Sequence, residues 1–200
     1  MNKHGAIVKK FGMKILIHNH AGEFDVLDDG KTTQYDVLLA ETDPELVAMQ
    51  LDIGWAYIAG QDALQMFKKN PGRYELWHVK DVKYKDIDPK LTPGQRGRAG
   101  KIVTLGEGDI DYRAVFANAG VAGLKYFVIE QDTAGEGGRD AIDDCRIAYE
   151  GLTRILSQAL IQNNTNWRLT ASVRPLTPRP MRRNGRVTSL SRRSRKQPSR

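Results

Sequence analysis

Four residues of types that bind divalent cations recur at matching places along this 200-residue chain. His18 ends the run KILIH, Asp52 ends LVAMQLD, His78 ends YELWH and Glu130 ends KYFVIE. Each closes a short apolar run with the length and composition of a buried strand. Two imidazoles and two carboxylates form a mixed nitrogen and oxygen donor set, better matched to manganese, cobalt, iron or zinc than to calcium. The single cysteine, Cys145, excludes a thiolate zinc cage and an internal disulfide. Each residue also has a plainer reading. A carboxylate at a strand end commonly caps the next helix, and a single histidine is commonly a hydrogen-bonded core residue. Four in successive units argue for one shared ion.

Such sharing requires the strands to lie side by side with their ends on one face, and the intervening segments fit that requirement. NKHGAIVKKF reads as a short helix stopped by Gly12, and Lys14 to Ile17 then reads as a strand delivering His18. TQYDVLLAET places Tyr35, Leu38 and Leu39 on one helical face, and the strand after Pro44 delivers Asp52. GQDALQMFKKN spaces Leu64, Phe67 and Lys68 as a helix, Asn70-Pro71-Gly72 breaks it, and YELWH follows. DYRAVFANAG, capped by Asp109 or Asp111, precedes KYFVIE. A closing amphipathic helix is expected from about Asp140 to Leu160, with Ile142, Cys145, Tyr149, Leu152 and Leu156 as its apolar face. Alternating helices and apolar strands make an α/β fold with a parallel sheet, and in a (β/α)8 barrel the carboxyl ends of the strands form the active face.

The net charge of +7 first suggests a polyanionic partner, but its distribution says otherwise. Residues 161–200 hold 11 of the 31 Lys and Arg and none of the 24 Asp and Glu, so residues 1–160 carry 20 basic against 24 acidic groups. We therefore divide the chain into an α/β domain, 1–160, and a basic tail, 161–200. The tail is rich in Arg, Ser, Pro and Asn and is expected to be disordered. It offers only Trp167 for stacking on a base, which favours a solvated extension, such as one read in a shifted frame, over a nucleic-acid arm. An acidic body also argues against a nucleic-acid groove. MNKHGAIVKK lacks the apolar run of a signal peptide or membrane span, and one unpaired cysteine suits a reducing compartment, so a cytoplasmic protein is expected.

Taken in order, HNHAGEF, QLDIGW, PGRYELWHVKD, TLGEGDIDY and YFVIEQD resemble the xylose isomerase-like TIM-barrel superfamily, and in particular its sugar phosphate isomerases and epimerases, over residues 1 to about 157. The resemblance implies a divalent ion (Mn, Co, Zn, Fe or Mg) held by Asp52, His78 and Glu130. At the remaining ligand position relatives commonly carry a glutamate, whereas this chain has His18. It further implies proton transfer next to the carbonyl of a sugar or sugar phosphate, with Glu130 as base and Glu23 or His20 as second proton carrier. His20, Trp55, Lys80 and Glu107 are the expected substrate contacts, Trp55 as an apolar wall and Lys80 as the partner of an oxyanion or phosphate. The plainer readings are core packing for Trp55, a salt bridge to Asp81 for Lys80, and a tight turn before a capped helix for TLGEGDIDY. AGEGGRD reads as a flexible loop. A dehydratase or lyase acting on keto-sugars or inosose, an abasic-site endonuclease and a non-catalytic binding fragment are the alternatives.

A full barrel needs eight strand-helix units, and four are visible. The expectation is thus a partial (β/α)8 barrel resembling a carboxyl-terminal half, whose open sheet edges belong either to a fragment or to a homo-oligomer of half-barrels.

Overall fold

In the computed structural model, which describes residues 1–163, the chain runs α1 (Asn2–Lys9), β1 (Ile15–His18), a 3-10 turn (Gly22–Phe24), α2 (Gln34–Glu41), β2 (Val47–Asp52), α3 (Ile53–Ile58), α4 (Ala63–Lys69) and β3 (Leu76–Val79). It continues through β4 (Asp81–Lys83), α5 (Pro93–Ala99), β5 (Lys101–Val103), α6 (Tyr112–Ala117), α7 (Ala119–Ala122), β6 (Tyr126–Ile129) and α8 (Ala141–Asn163). Residues 164–200, which include most of the expected basic tail, lie outside the described residues. Among the described residues no helix is long and apolar enough to cross a membrane.

Four strands pair in parallel in the order β1-β2-β3-β6, with His18 opposite Gln50, Asp52 opposite His78, and His78 opposite Val128. This is the partial α/β barrel that the sequence implies. Because side chains alternate along a strand, the register divides the sheet into two chemically different faces. Met49, Leu51, Trp77 and Val79 point to the helix layer and are fully buried. Trp77 stacks on Phe67 of α4 with ring centroids 5.0 Å apart, and Phe116 of α6 meets both Trp77 and Phe127. The opposite face, the barrel interior, presents Leu16, His18, Gln50, Asp52, Leu76, His78, Tyr126 and Val128. On it Tyr126 is 71% and Val128 50% exposed.

Local chemistry sets the helix starts. Thr33 and Asp36 form a reciprocal capping box at α2, and Asp62 accepts the N–H of Leu64 at α4. Of the two candidates before α6, Asp111 is the cap, accepting N–H groups of Arg113 and Ala114. Such caps stabilise a helix by about 1 kcal/mol each.

Several features depart from expectation. The segment IGWAYI forms α3, capped by Asp52 through the N–H of Trp55, so the strand runs directly into a helix. Between β3 and α6 the chain makes an antiparallel β4–β5 pair and the short helix α5, which no hydrophobic period announces. DYRAVFANAG breaks at Asn118 into α6 and α7. The buried face of α8 is also rotated from the expected stripe. Ile142, Cys145 and Tyr149 are exposed, while Asp144, Ala148, Gly151 and Leu152 are buried. Gly151 explains the rotation, because a β-carbon there would lie 2.5 Å from the Leu105 carbonyl oxygen, so the helix presses its smallest residue onto that turn.

Candidate active site

The four strand-end residues meet at the carboxyl end of the sheet. Ligand atoms of His18, Asp52 and His78 all lie within 4.8 Å of one another. Glu130, the residue after β6, brings Oε2 to 2.5 Å from His78 Nδ1, and Asp52 Oδ2 lies 3.6 Å from the same nitrogen. The His18 and His78 rings are 4.6 Å apart between centroids.

The donor set is of the kind that could hold a cation. His18 Nδ1, Asp52 Oδ2, His78 Nδ1 and Glu130 Oε2 are all buried, and none has a hydrogen bond of acceptable geometry. Buried polar atoms are nearly always hydrogen-bonded, and here Asp52 Oδ2, Glu130 Oε2 and His78 Nδ1 have only ion-pair neighbours while His18 Nδ1 has no hydrogen bond, so the cluster is a candidate place for a cation. The geometry favours Asp52 doubly: Oδ1 caps α3 and Oδ2 is left for the site. The capping and ligand readings of this residue are therefore compatible.

Lys80 supplies positive charge beside the cluster. Its Nζ lies 3.2 Å from Asp52 Oδ2, 3.3 Å from Glu130 Oε2 and 2.8 Å from Asp132 Oδ2, and 5.1 Å from the centre of the Trp55 ring. Burial disfavours its charge, but Asp52, Asp132 and Glu130 outweigh that effect and hold its pKa above the usual lysine value. The salt bridge to Asp81 that sequence suggested does not form. Asp81 instead accepts N–H groups of Gly106, Gly108 and Val82, which wraps the 104–110 turn around its carboxylate. The carbonyl of Lys80 accepts a hydrogen bond from Tyr112 Oη, and a β-carbon on Gly54 would approach that same carbonyl to 2.6 Å. The lysine is thus held from both sides.

Burial lowers the pKa of His18, with the Asp52 carboxylate opposing, whereas the neighbouring Asp52 and Glu130 carboxylates raise that of His78 against its own burial. The two imidazoles therefore differ in basicity although they touch.

The remaining expected contacts divide. His20 is exposed, 4.8 Å from the His18 ring and 5.5 Å from Trp55, at the edge of the cluster. Trp55 packs partly against the core, and its buried Nε1–H has no partner. Glu23 turns Oε2 back to the N–H of His20, 2.9 Å away, and serves its own turn. Glu107 is exposed and paired with Arg139 at 3.2 Å, which ties the 104–108 turn to the AGEGGRD loop. That loop is further pinned by the Gly135 N–H and Arg139, both bonded to Asp144. A separate cleft of about 360 Å³, lined in part by Asp81, Gly106, Tyr112, Arg113 and Arg154, includes none of the four cluster residues.

Two residues of the site went unread in the sequence. Asn19, fully buried between the histidines, accepts the Asp52 N–H at 3.0 Å and donates to the Asp52 carbonyl at 3.3 Å, locking the ends of β1 and β2 together. Its place between two histidines just beyond a strand end is the signal that could have found it. Asp132, two residues beyond Glu130, completes the carboxylates around Lys80.

The family model for the xylose isomerase-like TIM barrel matches residues 1–149. The chain is 36% identical over 120 residues to an inosose dehydratase of Clostridium perfringens, covering 58% of this chain and 39% of that protein. It is 31% identical over 137 residues to an inosose dehydratase of Geobacillus thermodenitrificans, covering 66% of this chain and 45% of that protein. Among solved structures, a sugar phosphate isomerase/epimerase from Parabacteroides distasonis superposes with a TM-score of 0.59 at 26% identity, over 76% of this chain and 48% of that one. A xylose isomerase-like TIM-barrel protein from Mycobacterium smegmatis, in complex with magnesium, gives a TM-score of 0.52 at 18% identity, over 80% and 49%. The chain spans about half the length of the relatives it matches.

Proposed function

We propose, from the premise that this chain belongs to the xylose isomerase-like TIM-barrel family, that its site removes a proton from the carbon next to the carbonyl of a polyhydroxylated ketone. The observation that carries this reading is the convergence of four buried ligand-type atoms, on His18, Asp52, His78 and Glu130, none of which has a hydrogen bond of acceptable geometry. A divalent cation bound there supplies Lewis-acid polarisation of the carbonyl and stabilises the negative charge that develops on its oxygen.

The chain's own residues divide the rest of the chemistry. Glu130 takes the proton from carbon, since one of its oxygens stands at the cluster and its side chain is more than one-third exposed toward the open interior. Lys80 holds Asp52, Glu130 and Asp132 in place and keeps positive charge beside the developing oxyanion. Trp55 lines the approach as an apolar wall beside His20 and Lys80. His20, exposed at the rim, delivers a proton.

After the first step two outcomes diverge. If the neighbouring hydroxyl accepts the proton from His20 and leaves as water, the reaction is a dehydration. If a proton is instead delivered to the former carbonyl carbon, the reaction is an isomerisation, and if it returns to the opposite face of the original carbon, an epimerisation. We assign the dehydratase outcome on a cyclic keto-polyol of the inosose class, supported by the shared name of relatives at 30–36% identity. The isomerase outcome is supported by the 26% identical structural neighbour. Incubation of the 200-residue chain with a divalent cation in deuterated water, with an inosose and separately with a ketose phosphate, decides between them. An unsaturated dehydration product supports the first, and deuterium at carbon without loss of water the second. Neither product from metal-loaded protein would overturn the proton-transfer reading.

A further inference from the structure

The interior face of β2 carries one polar residue that the cluster does not use. Gln50 stands two positions before Asp52, so the two side chains share a face, and it lies opposite His18 and Leu76 in register. Its neighbours along the strand, Ala48, Met49 and Leu51, are buried and apolar, so a leucine or methionine would be the ordinary occupant. Instead its amide nitrogen Nε2 contacts His78 Nε2. The other ring nitrogen, Nδ1, faces Glu130 at 2.5 Å and Asp52 at 3.6 Å. The His78 ring is therefore gripped at one nitrogen and offered to the cluster at the other.

A neutral imidazole has one N–H, and the group bonded to one nitrogen decides what the other can do. Ligation of a cation by Nδ1 requires the proton on Nε2. A carboxamide can serve this state by turning its oxygen to Nε2–H, and it can serve the opposite tautomer by turning its NH2 to a bare Nε2 while Nδ1–H donates to Glu130. A carboxylate or a backbone carbonyl can do only the first.

We propose that Gln50 is a positioning residue for His78: its carboxamide fixes the ring with Nδ1 toward Asp52 and Glu130, and accepts the Nε2 proton whenever Nδ1 gives its lone pair to a cation. The inference rests on the metal reading of the site. It adds to that reading the residue that sets which nitrogen is used.

The test uses the full 200-residue chain labelled with 15N-histidine, with zinc as a diamagnetic probe. In zinc-loaded wild type, His78 should show a ligated Nδ1 and an Nε2–H that exchanges slowly with water. Gln50→Leu should keep the fold, bind zinc about 10- to 100-fold more weakly and lose the slowly exchanging Nε2–H. Gln50→Glu, which can still accept that proton, should recover zinc affinity to within a few-fold. Zinc affinity and ring signals unchanged in Gln50→Leu would overturn the inference alone, as would ligation through Nε2 in wild type, which can be read even if Gln50→Leu does not fold. No zinc uptake by wild type would remove the metal reading and this inference with it.

Discussion

The two faces of the four-stranded sheet use the same backbone for opposite purposes. Toward the helices, Met49, Leu51, Trp77 and Val79 are fully buried and packed on aromatic rings. Toward the barrel interior, the same strands set out His18, Asp52 and His78, each with a buried atom that makes no hydrogen bond, beside the exposed Tyr126 and Val128. One face is packed and apolar and the other gathers charged and titratable groups. Stability and chemistry should thus be separable by a shift of one residue along a strand.

The most severe test of that separation is Trp77→Ala. It removes the ring stacked on Phe67 and should lower unfolding free energy by about 3–5 kcal/mol, measured by chemical denaturation. His78→Ala, the neighbouring residue on the opposite face, should leave the denaturation midpoint nearly unchanged while weakening divalent-ion binding by more than about 100-fold by calorimetry, a larger loss than removal of an outer-shell partner. Equal loss of stability in the two variants would break the comparison. Asn19→Ala should fall between them. It leaves the Asp52 N–H and carbonyl without partners inside the protein, costing about 1–3 kcal/mol, and it should also weaken ion binding because the Asp52 carboxylate loses its anchor.

Smaller effects sharpen the contrast. Val128→Thr on the exposed interior face should change stability by no more than about 0.5 kcal/mol. A loss several times larger would show that another surface covers this face in solution. The mildest effect concerns the helix layer in acid. Hydrogen bonds from the Gly135 N–H and Thr104 hold the pKa of Asp144 below the usual carboxylate value. Its contribution to stability is therefore complete above the unfolded value of about 3.9 and is lost as pH falls through the lower folded value. Asp144→Asn should therefore lower thermal stability modestly in the neutral region, with the difference from wild type shrinking as pH falls, so that the acid limb of the profile is flattened.

The strands ending at His18, Asp52 and His78 were legible because each is a short apolar run closed by a polar residue, and Glu130 because it follows such a run. Asp111 was legible, with Asp109, as a candidate helix cap for an equally local reason. What escaped was set by distant partners. Asn19 answers to Asp52, Gln50 to His78, and Lys80 to Asp132 rather than to the adjacent Asp81. The burial of α8 escaped for a related reason: its contact face is chosen by the close approach of Gly151 to Leu105, so small and polar residues are buried while Ile142 and Tyr149 remain outside. Periodicity records how much apolar surface a helix has, not where a neighbouring backbone comes nearest.

The sheet order has a consequence in time as well as in space. β2 meets β3 through Gln50 and Leu76, across one short excursion, whereas β3 meets β6 through Leu76 and Tyr126, across the whole of β4, α5, β5, α6 and α7. Longer loops close at greater entropic cost, and non-local pairings form later. Strand β6 should therefore dock last, and Glu130 should arrive with it. His18, Asp52 and His78 would then assemble on the first three strands as an ion trap before the proposed base is in place. Pulse-labelling hydrogen exchange during refolding would register this sequence of events as protection of the β6 amides after those of β2 and β3, and a divalent ion added at the start would speed the earlier phase and not the later one.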